Sequence, residues 1–109
     1  MKAVYVQEGK NLDYQNTGSD AIAAGDVVVF GSHVGIAAGN IAAGEKGAIV
    51  MEGVFRLPKK ADEAITVGAD VYYSEAGMTA VKAESAAAVG YAVSAAAEAD
   101  SAVTVKLLG

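Results

Sequence analysis

Glycines recur at short, fairly even intervals along this chain, and the residues between them form short apolar runs rich in β-branched side chains. Glycine adopts the positive φ angles that tight turns need, and short strands between such turns are typical of a β-sandwich or a small barrel. The sequence therefore predicts an all-β fold, a small Gly-rich β-barrel or β-sandwich with at most one or two short helical turns. The spacing rests on Gly18, Gly25, Gly31, Gly35, Gly39, Gly44, Gly47, Gly53, Gly68, Gly77 and Gly90.

Between the glycines, β-branched and aromatic residues mark the strands that we predict. The last strand alternates, with the apolar Val103, Val105 and Leu107 on one face, as a half-buried strand does. A tight turn at residues 31–33 joins two of the strands, and residues 60–65 could form one helical turn. The predicted strands cover residues 4–6, 27–30, 34–37, 47–57, 71–74, 78–82, 89–94 and 101–108.

An alanine-rich segment, residues 84–99, is the one place where a longer helix would be compatible with the composition, because alanine has the highest helix propensity. Gly90 interrupts this segment, and residues 89–93 fit a strand equally well. We therefore reject a long helix and expect at most a short helical turn, at residues 84–88 or 95–98.

One sequence pattern occurs three times: a small apolar anchor, a glycine suited to a positive φ, and then an acid before the next strand. Residues 22–28 (Ile-Ala-Ala-Gly-Asp-Val-Val) are echoed by residues 65–71 (Ile-Thr-Val-Gly-Ala-Asp-Val), and residues 41–45 are a weaker third copy. We expect Asp26 and Asp70 to occupy equivalent positions, where a carboxylate accepts backbone N–H bonds of a turn. The pattern indicates a turn that is reused in a pseudo-repeated β-unit, with too few copies for a solenoid.

The composition limits the classes of function. The chain has 109 residues, the size of one domain, and only 2 Phe and no Trp, so its core is built from small side chains. A net charge of −5 argues against nucleic-acid binding, because phosphate contacts require clustered Lys or Arg. The chain has no cysteine, and no apolar run approaches the ~20 residues of a membrane-spanning helix, so we expect no thiol chemistry and no membrane partner. We divide the chain into an N-terminal arm or edge strand (1–16) and a single β-barrel-like domain (17–109).

The sequence offers no clear set of catalytic or ligand-binding residues. His33 is the only histidine, whereas a zinc site needs three or four ligands, and we expect it to be an exposed turn residue. Residues 44–47 (Gly-Glu-Lys-Gly) lack the Gly-Lys-Ser/Thr of a phosphate loop. A Ser-His-Asp set drawn from Ser32, His33 and Asp26 would lack a nucleophile elbow. We therefore predict that the protein is not an enzyme and has no catalytic residues, no metal site and no cofactor.

Seven motifs in a fixed order carry a family resemblance. The most distinctive is Glu52-Gly53-Val54-Phe55-Arg56-Leu57-Pro58-Lys59, followed by Gly68-Ala69-Asp70-Val71-Tyr72-Tyr73. This order resembles the capsid cement family of tailed phages and prophages. The chain departs from the family pattern at Ala69, which separates a glycine and an aspartate that are usually adjacent, and at Tyr73, which is often Trp. The other motifs are residues 6–9, 22–28, 31–37, 41–47 and 89–92.

The resemblance implies a β-barrel-like structural protein on the outer surface of a phage head. Its partner would be the major capsid protein, and such proteins commonly stand as homotrimers at three-fold positions, where they brace neighbouring capsomers. The protein would be made in the host cytoplasm and reside in the virion. Some members of the family have carried a recombinase label, which we do not transfer, because the nucleotide-binding loop that this activity requires is missing here.

Two groups of residues are the candidate contact sites within that interpretation. The first lies in the N-terminal arm and is expected to touch the capsid, although an ordinary edge strand and loop is the alternative. The second surrounds the most distinctive motif and is expected to join subunits, although a place in the core is the alternative; tyrosine is enriched at protein contacts. The capsid-contact candidates are Tyr5, Leu12 and Tyr14, and the subunit-interface candidates are Val54, Phe55, Leu57 and Tyr73.

Two rival functions stay open from the sequence. A small β-barrel ligand-binding module without catalysis would need a concave pocket lined by aromatic residues, a role that the tyrosines would have to fill. A hydrolase using Asp or Glu would need two acids that converge in a cleft.

Overall fold

The computed structural model describes residues 1–6, 9–82 and 86–108, and within those ranges it contains eight strands and no helix. The strands form two antiparallel four-stranded sheets, the first in the order β1-β4-β3-β2 and the second in the order β5-β8-β7-β6. The predicted all-β fold is confirmed. The strands are β1 (Asn11–Gln15), β2 (Val27–Phe30), β3 (His33–Ala37), β4 (Lys46–Val50), β5 (Glu52–Pro58), β6 (Asp70–Tyr72), β7 (Ala88–Ala92) and β8 (Ala102–Leu108).

The strand predictions were most accurate where alternation or a glycine turn fixed the boundaries. β2 has the predicted bounds, β3 begins one residue early at His33, and β8 begins at Ala102. The prediction of one strand over residues 47–57 was wrong, because the chain leaves the first sheet at Met51. Val50 pairs with Asn11 in the first sheet, whereas Glu52 pairs with Leu108 in the second.

Several other local predictions were also wrong. Residues 4–6 lie in no strand, and residues 78–82 contribute only the isolated bridges of Met78 and Thr79. Residues 60–65 and 95–98 are turns and bridges rather than helical turns. Of the predicted turn at 84–88, residues 84 and 85 lie outside the described residues, and Ala88 begins β7.

The reused turn is confirmed, and the structure adds a fourth copy. In the three predicted copies the glycine has a positive φ, 87° at Gly25, 80° at Gly44 and 82° at Gly68. The turns face each other in pairs, because Ile22 bridges Ile41 in the first sheet and Ile65 bridges Ala96 in the second. Each turn is closed by one backbone hydrogen bond of 3.0 to 3.2 Å: Asp26 N to Ala23 O, Glu45 N to Ala42 O, Ala69 N to Thr66 O and Asp100 N to Ala97 O.

The predicted equivalence of Asp26 and Asp70 was wrong. The Asp26 carbonyl accepts from Ala37 N in the first sheet, and the corresponding bond in the second sheet runs from Ala92 N to Ala69 O. Ala69 is therefore the counterpart of Asp26, and Asp70 is already the first residue of β6. The carboxylate of Asp26 does accept a turn N–H, that of Ala23 at 2.9 Å, and Asp100 does the same for Ala97 N at 2.8 Å.

Each sheet directs one face into a hydrophobic core. The inner face of the second sheet supplies most of the main core, including Val71, Val105 and Leu107. The inner face of the first sheet supplies the second core, including Ile49 and Met51. The back of the first sheet also contributes to the main core, through the side chains of Val34 and Ile36 from β3. Both faces of the first sheet thus contribute residues to a core, whereas the second sheet has one exposed face.

Candidate interaction surfaces

The capsid-contact candidate Tyr5 lies in an exposed apolar segment, residues 1–6, which we call the tail. Val4, Tyr5 and Val6 are 84%, 79% and 85% exposed, and the tail forms no strand in the described structure. In an extended chain Val4 and Val6 project to one side and Tyr5 to the other. The tail therefore presents large apolar side chains that its own domain does not cover.

The other two capsid-contact candidates are part of the first sheet rather than of the tail. Leu12 and Tyr14 are half-buried on β1 and pack against the second core. The ring centroid of Tyr14 is 6.1 Å from that of Phe30, so Tyr14 already has an intramolecular aromatic neighbour. The structure thus separates Tyr5, which is free of the sheet, from Leu12 and Tyr14.

Strand alternation divides the four subunit-interface candidates between two environments. Val54 points outward and is 56% exposed, whereas Leu57 is 4% exposed in the main core. Phe55 and Tyr73 are half-buried and pack against the main core. Only Val54 among the four presents its side chain mainly to solvent.

Val54 belongs to a larger surface, the outer face of the second sheet. It pairs with Lys106 across β5 and β8, and Lys106 pairs with Tyr91 across β8 and β7. The ammonium of Lys106 lies 5.9 Å from the centre of the Tyr91 ring, within cation–π range. Arg56 follows Val54 on the same face of β5 and is exposed. The sequence analysis missed Tyr91 and Lys106, although the alternation of β8 had already placed Lys106 opposite the apolar side chains.

A hollow on the first sheet, with a volume of about 400 Å³, is the second candidate surface. The ring of Phe30 lies 6.1 Å from the ring of His33, its cross-strand partner. His33 is exposed as predicted, but it is the first residue of β3 rather than a turn residue. The hollow is lined by Gly9, Leu12, Phe30, His33, Met51, Glu52 and Leu108.

A buried lysine holds the loops at one end of the second sheet together. Lys59 is 5% exposed, and its ammonium donates hydrogen bonds to the carbonyl oxygens of Lys60 at 2.9 Å, Glu63 and Glu98 at 3.3 Å. The sequence analysis had singled out this lysine only as the last residue of the most distinctive motif. The surrounding carbonyls supply the partners that a buried ammonium needs.

Glu63, next to this lysine, ties the connection after β6 to the same loops. Its carboxylate accepts hydrogen bonds from Thr79 Oγ1 at 2.6 Å and from Ala80 N at 2.7 Å. Desolvation by burial acts to raise the pKa of Glu63, but these two hydrogen bonds and the positive charges of Lys60 and Lys59 outweigh it and lower the pKa below its ordinary value. The group is therefore held as a carboxylate in a structural role.

The remaining concave surfaces offer little chemistry. The described residues contain no group of three or more His, Cys, Asp or Glu with the geometry of a metal site. Three cavities of 230 to 400 Å³ on the described part of the chain are each lined by one acid, Asp100, Glu52 or Glu75. Ser32 and His33 share a cavity of about 430 Å³ with Tyr72, but Asp26 is not among its lining residues. Within the described ranges, no helix has the length and apolar character needed to cross a membrane.

Comparison with known proteins gives one match. A family model described as phage cement protein matches residues 6–107, which is nearly the whole chain. No match was found among curated proteins or among solved structures.

Proposed function

The chain belongs to the phage cement protein family, a family of capsid-stabilising structural proteins of the virion, and on that premise we propose that it binds the outer surface of an assembled tailed-phage head as a homotrimer. In this proposal it contacts the major capsid protein, braces neighbouring capsomers at three-fold positions and has no catalytic activity. The protein would be made in the host cytoplasm before it joins the head.

The observation that carries this proposal is the exposed apolar tail. Fully burying a large apolar side chain such as valine contributes roughly 1.5–3 kcal/mol relative to leaving it in water. Val4, Tyr5 and Val6 gain none of this in the free domain, because all three are exposed. A surface on the shell that covers the tail would recover that free energy, and an extended segment suits addition to the edge of a sheet.

Tyr5 is the capsid contact that exposure favours most. Leu12 and Tyr14 are weaker candidates, because each already packs against the second core and has less area to bury on a partner. In this proposal the arm of residues 1–16 consists of the tail and the β1 edge strand. Residues 17–109 form the barrel-like domain that carries the arm.

Stabilisation of the head then follows from mass action. A ligand that binds the assembled shell better than the free capsid subunits shifts the equilibrium toward the shell. Many copies on one lattice multiply a modest affinity per copy, since neighbouring contacts act together.

The test is to mix the purified protein with expanded, undecorated heads of its own phage and to sediment them. We expect co-sedimentation at a fixed number of copies per head. A chain that lacks residues 1–6 should keep its fold, measured by circular dichroism, and should bind far more weakly. Absence of co-sedimentation of the full chain at every salt concentration would contradict the proposal.

A further inference from the structure

The two sheets of this chain are built alike but packed head to tail. The strand orders correspond, β1-β4-β3-β2 to β5-β8-β7-β6, and so do the paired turns of each sheet. A two-fold arrangement would bring like faces together. Instead, Ile36 and Val50 on the back of the first sheet pack into the main core, which the inner face of the second sheet fills with Phe55 and Leu107.

The residues covered in this way have identifiable counterparts in the first sheet. Asn16 and Lys59 are equivalent, because each donates its backbone N–H to the carbonyl just before the last strand of its sheet. The residue four positions before each is Leu12 in the first sheet and Phe55 in the second. The residue fourteen positions after each is Phe30 in the first sheet and Tyr73 in the second. Ile49 pairs with Ala37 as Val105 pairs with Ala92, which matches Met51 to Leu107. The covered set of the second sheet therefore corresponds to Leu12, Phe30 and Met51.

In the first sheet Leu12 and Phe30 are half-buried and Met51 is buried. The described members of the second core all lie between residues 12 and 51, so the second sheet contributes none of them. Leu12, Phe30 and Met51 all line the hollow of about 400 Å³. In the second sheet, Val27 from the back of the first sheet lies near Tyr73, and both residues line one cavity. The hollow is thus the counterpart of the inner face of the second sheet. The back of the first sheet covers that inner face, whereas the hollow has no such covering sheet within the described part of the chain.

The covering face also has a counterpart. The strand pairings that match Ile49 to Val105 also match Ile36 to Tyr91 and Val50 to Lys106. The counterpart of the back of the first sheet is therefore the outer face of the second sheet. That face is exposed, with Val54 at 56% and Val93 at 38%.

We propose that the outer face of the second sheet of one copy covers the hollow on the first sheet of the next copy. This inference rests on the homotrimer of the proposed function and names its interface. The contact between copies repeats the contact that joins the two sheets inside one chain.

The chemistry of the two surfaces is complementary. The hollow offers the rings of Phe30 and His33, with the carboxylate of Glu52 among its lining residues. The outer face offers the ring of Tyr91 beneath the ammonium of Lys106, and tyrosine is enriched where protein surfaces meet. Lys106 on the outer face of one copy and Glu52 at the edge of the hollow of the next copy carry opposite charges, which favours this contact.

The position of the two surfaces favours a small closed ring. Glu52 and Leu108 are cross-strand partners on the outer face, and both also line the hollow, so the two surfaces share a border. A head-to-tail contact generates either a closed ring or an open filament. Because the two surfaces lie side by side rather than on opposite sides of the molecule, each copy is turned relative to the last, which favours a closed ring over a straight filament.

The experiment uses the absence of native cysteine in the chain. One variant carries His33→Cys in the hollow and another carries Val54→Cys on the outer face; both positions are exposed, so the fold should tolerate them. The two variants, differing in a size tag, are mixed and treated with a short bismaleimide linker, first free in solution and then bound to heads. Val67→Cys, at a position that is 64% exposed in the turn at Gly68, replaces Val54→Cys in the control mixture.

We expect cross-linked dimers that combine both tags, at several times the yield of the control mixture, either in solution or on heads. Each cysteine variant alone should give little product, because a head-to-tail contact does not bring a position next to itself. Strong cross-linking of either variant with itself, or no mixed dimers on heads that the protein binds normally, would overturn the interface. Loss of head binding by the unchanged chain would instead contradict the proposed function.

Discussion

Asn16 and Lys59 occupy equivalent positions in the two halves of the chain, and each side chain donates hydrogen bonds to loop carbonyls, one from an amide and the other from an ammonium. Each is buried directly after the first strand of its sheet, at 3% and 5% exposure. Each side chain donates to the carbonyl four residues on, that of Asp20 for Asn16 and that of Glu63 for Lys59. At the end of the first sheet the loop carbonyls bind the amide of Asn16, and at the end of the second sheet three carbonyls bind the ammonium of Lys59.

Replacing this ammonium should destabilise the protein. In Lys59→Met the carbonyls of Lys60, Glu63 and Glu98 lose their donor in a buried place, and we expect a loss of about 2 kcal/mol in the free energy of unfolding. Urea unfolding measures it. Lys46→Met, at an exposed lysine on β4, is the matched control and should stay within about 0.5 kcal/mol of the unchanged protein. Equal stability of the two variants would refute the role given to Lys59.

The carboxylate of Glu63 should make stability fall in acid. Its pKa in the folded protein lies below the ordinary value of 4.5, so the charged form stabilises the fold above that value and the stabilisation is lost as the pH falls through the lowered pKa. The advantage of the unchanged protein over Glu63→Gln should be full near neutral pH and should shrink at low pH. Unfolding curves at a series of pH values test this, with Glu75→Gln as a control at an exposed carboxylate. A difference that does not change with pH would contradict the assignment.

Gly90 should tolerate no side chain. A Cβ atom added there would overlap the backbone carbonyl of Lys106 on the neighbouring strand, so β7 and β8 could not keep their spacing. We expect Gly90→Ala to cost at least about 2 kcal/mol in the free energy of unfolding or to prevent folding. Gly39→Ala meets open space at the Cβ position and should cost less than about 1 kcal/mol. A thermal melt that does not distinguish the two variants would show that the strands can separate freely.

Tyr5 should matter for head binding and not for folding. Because its side chain is 79% exposed, Tyr5→Ser should leave the melting temperature of the free protein unchanged. On heads we expect affinity to fall about tenfold, the equivalent of roughly 1.4 kcal/mol of lost burial. Binding isotherms by sedimentation measure it. Val67→Ser, at an exposed position in the turn at Gly68, should bind as the unchanged protein does, and an equal loss in both variants would contradict the place of the tail in the contact.

The fold could be predicted from sequence wherever one physical signal dominated. The alternation of β8 and the glycine turns at Gly25 and Gly68 gave strands and turns close to those observed. β1 was hidden inside the predicted arm, although its alternation between half-buried and exposed residues is regular. The fourth turn, at residues 96–100, could not be recognised because it has neither the isoleucine nor the glycine of the pattern.

The remaining features depend on contacts between distant parts of the chain. The strand-like sequence of residues 47–57 contains no turn signal that shows where the chain passes from one sheet to the other at Met51. The burial of Lys59 could not be inferred, because lysine is among the residues least often found buried. Of the candidate contacts, the sequence singled out Tyr5 and Val54, which are exposed, but it could not separate them from Leu57, which faces the core.

The thermal stability of the shell tests the central claim most directly. Expanded heads without this protein would be heated in a calorimeter alone, with the full chain, and with the chain that lacks residues 1–6. The account predicts a melting temperature of the shell that rises with the full chain until the sites are saturated, and little rise with the shortened chain. A shell transition that stays the same at saturating protein would contradict a stabilising role on the head.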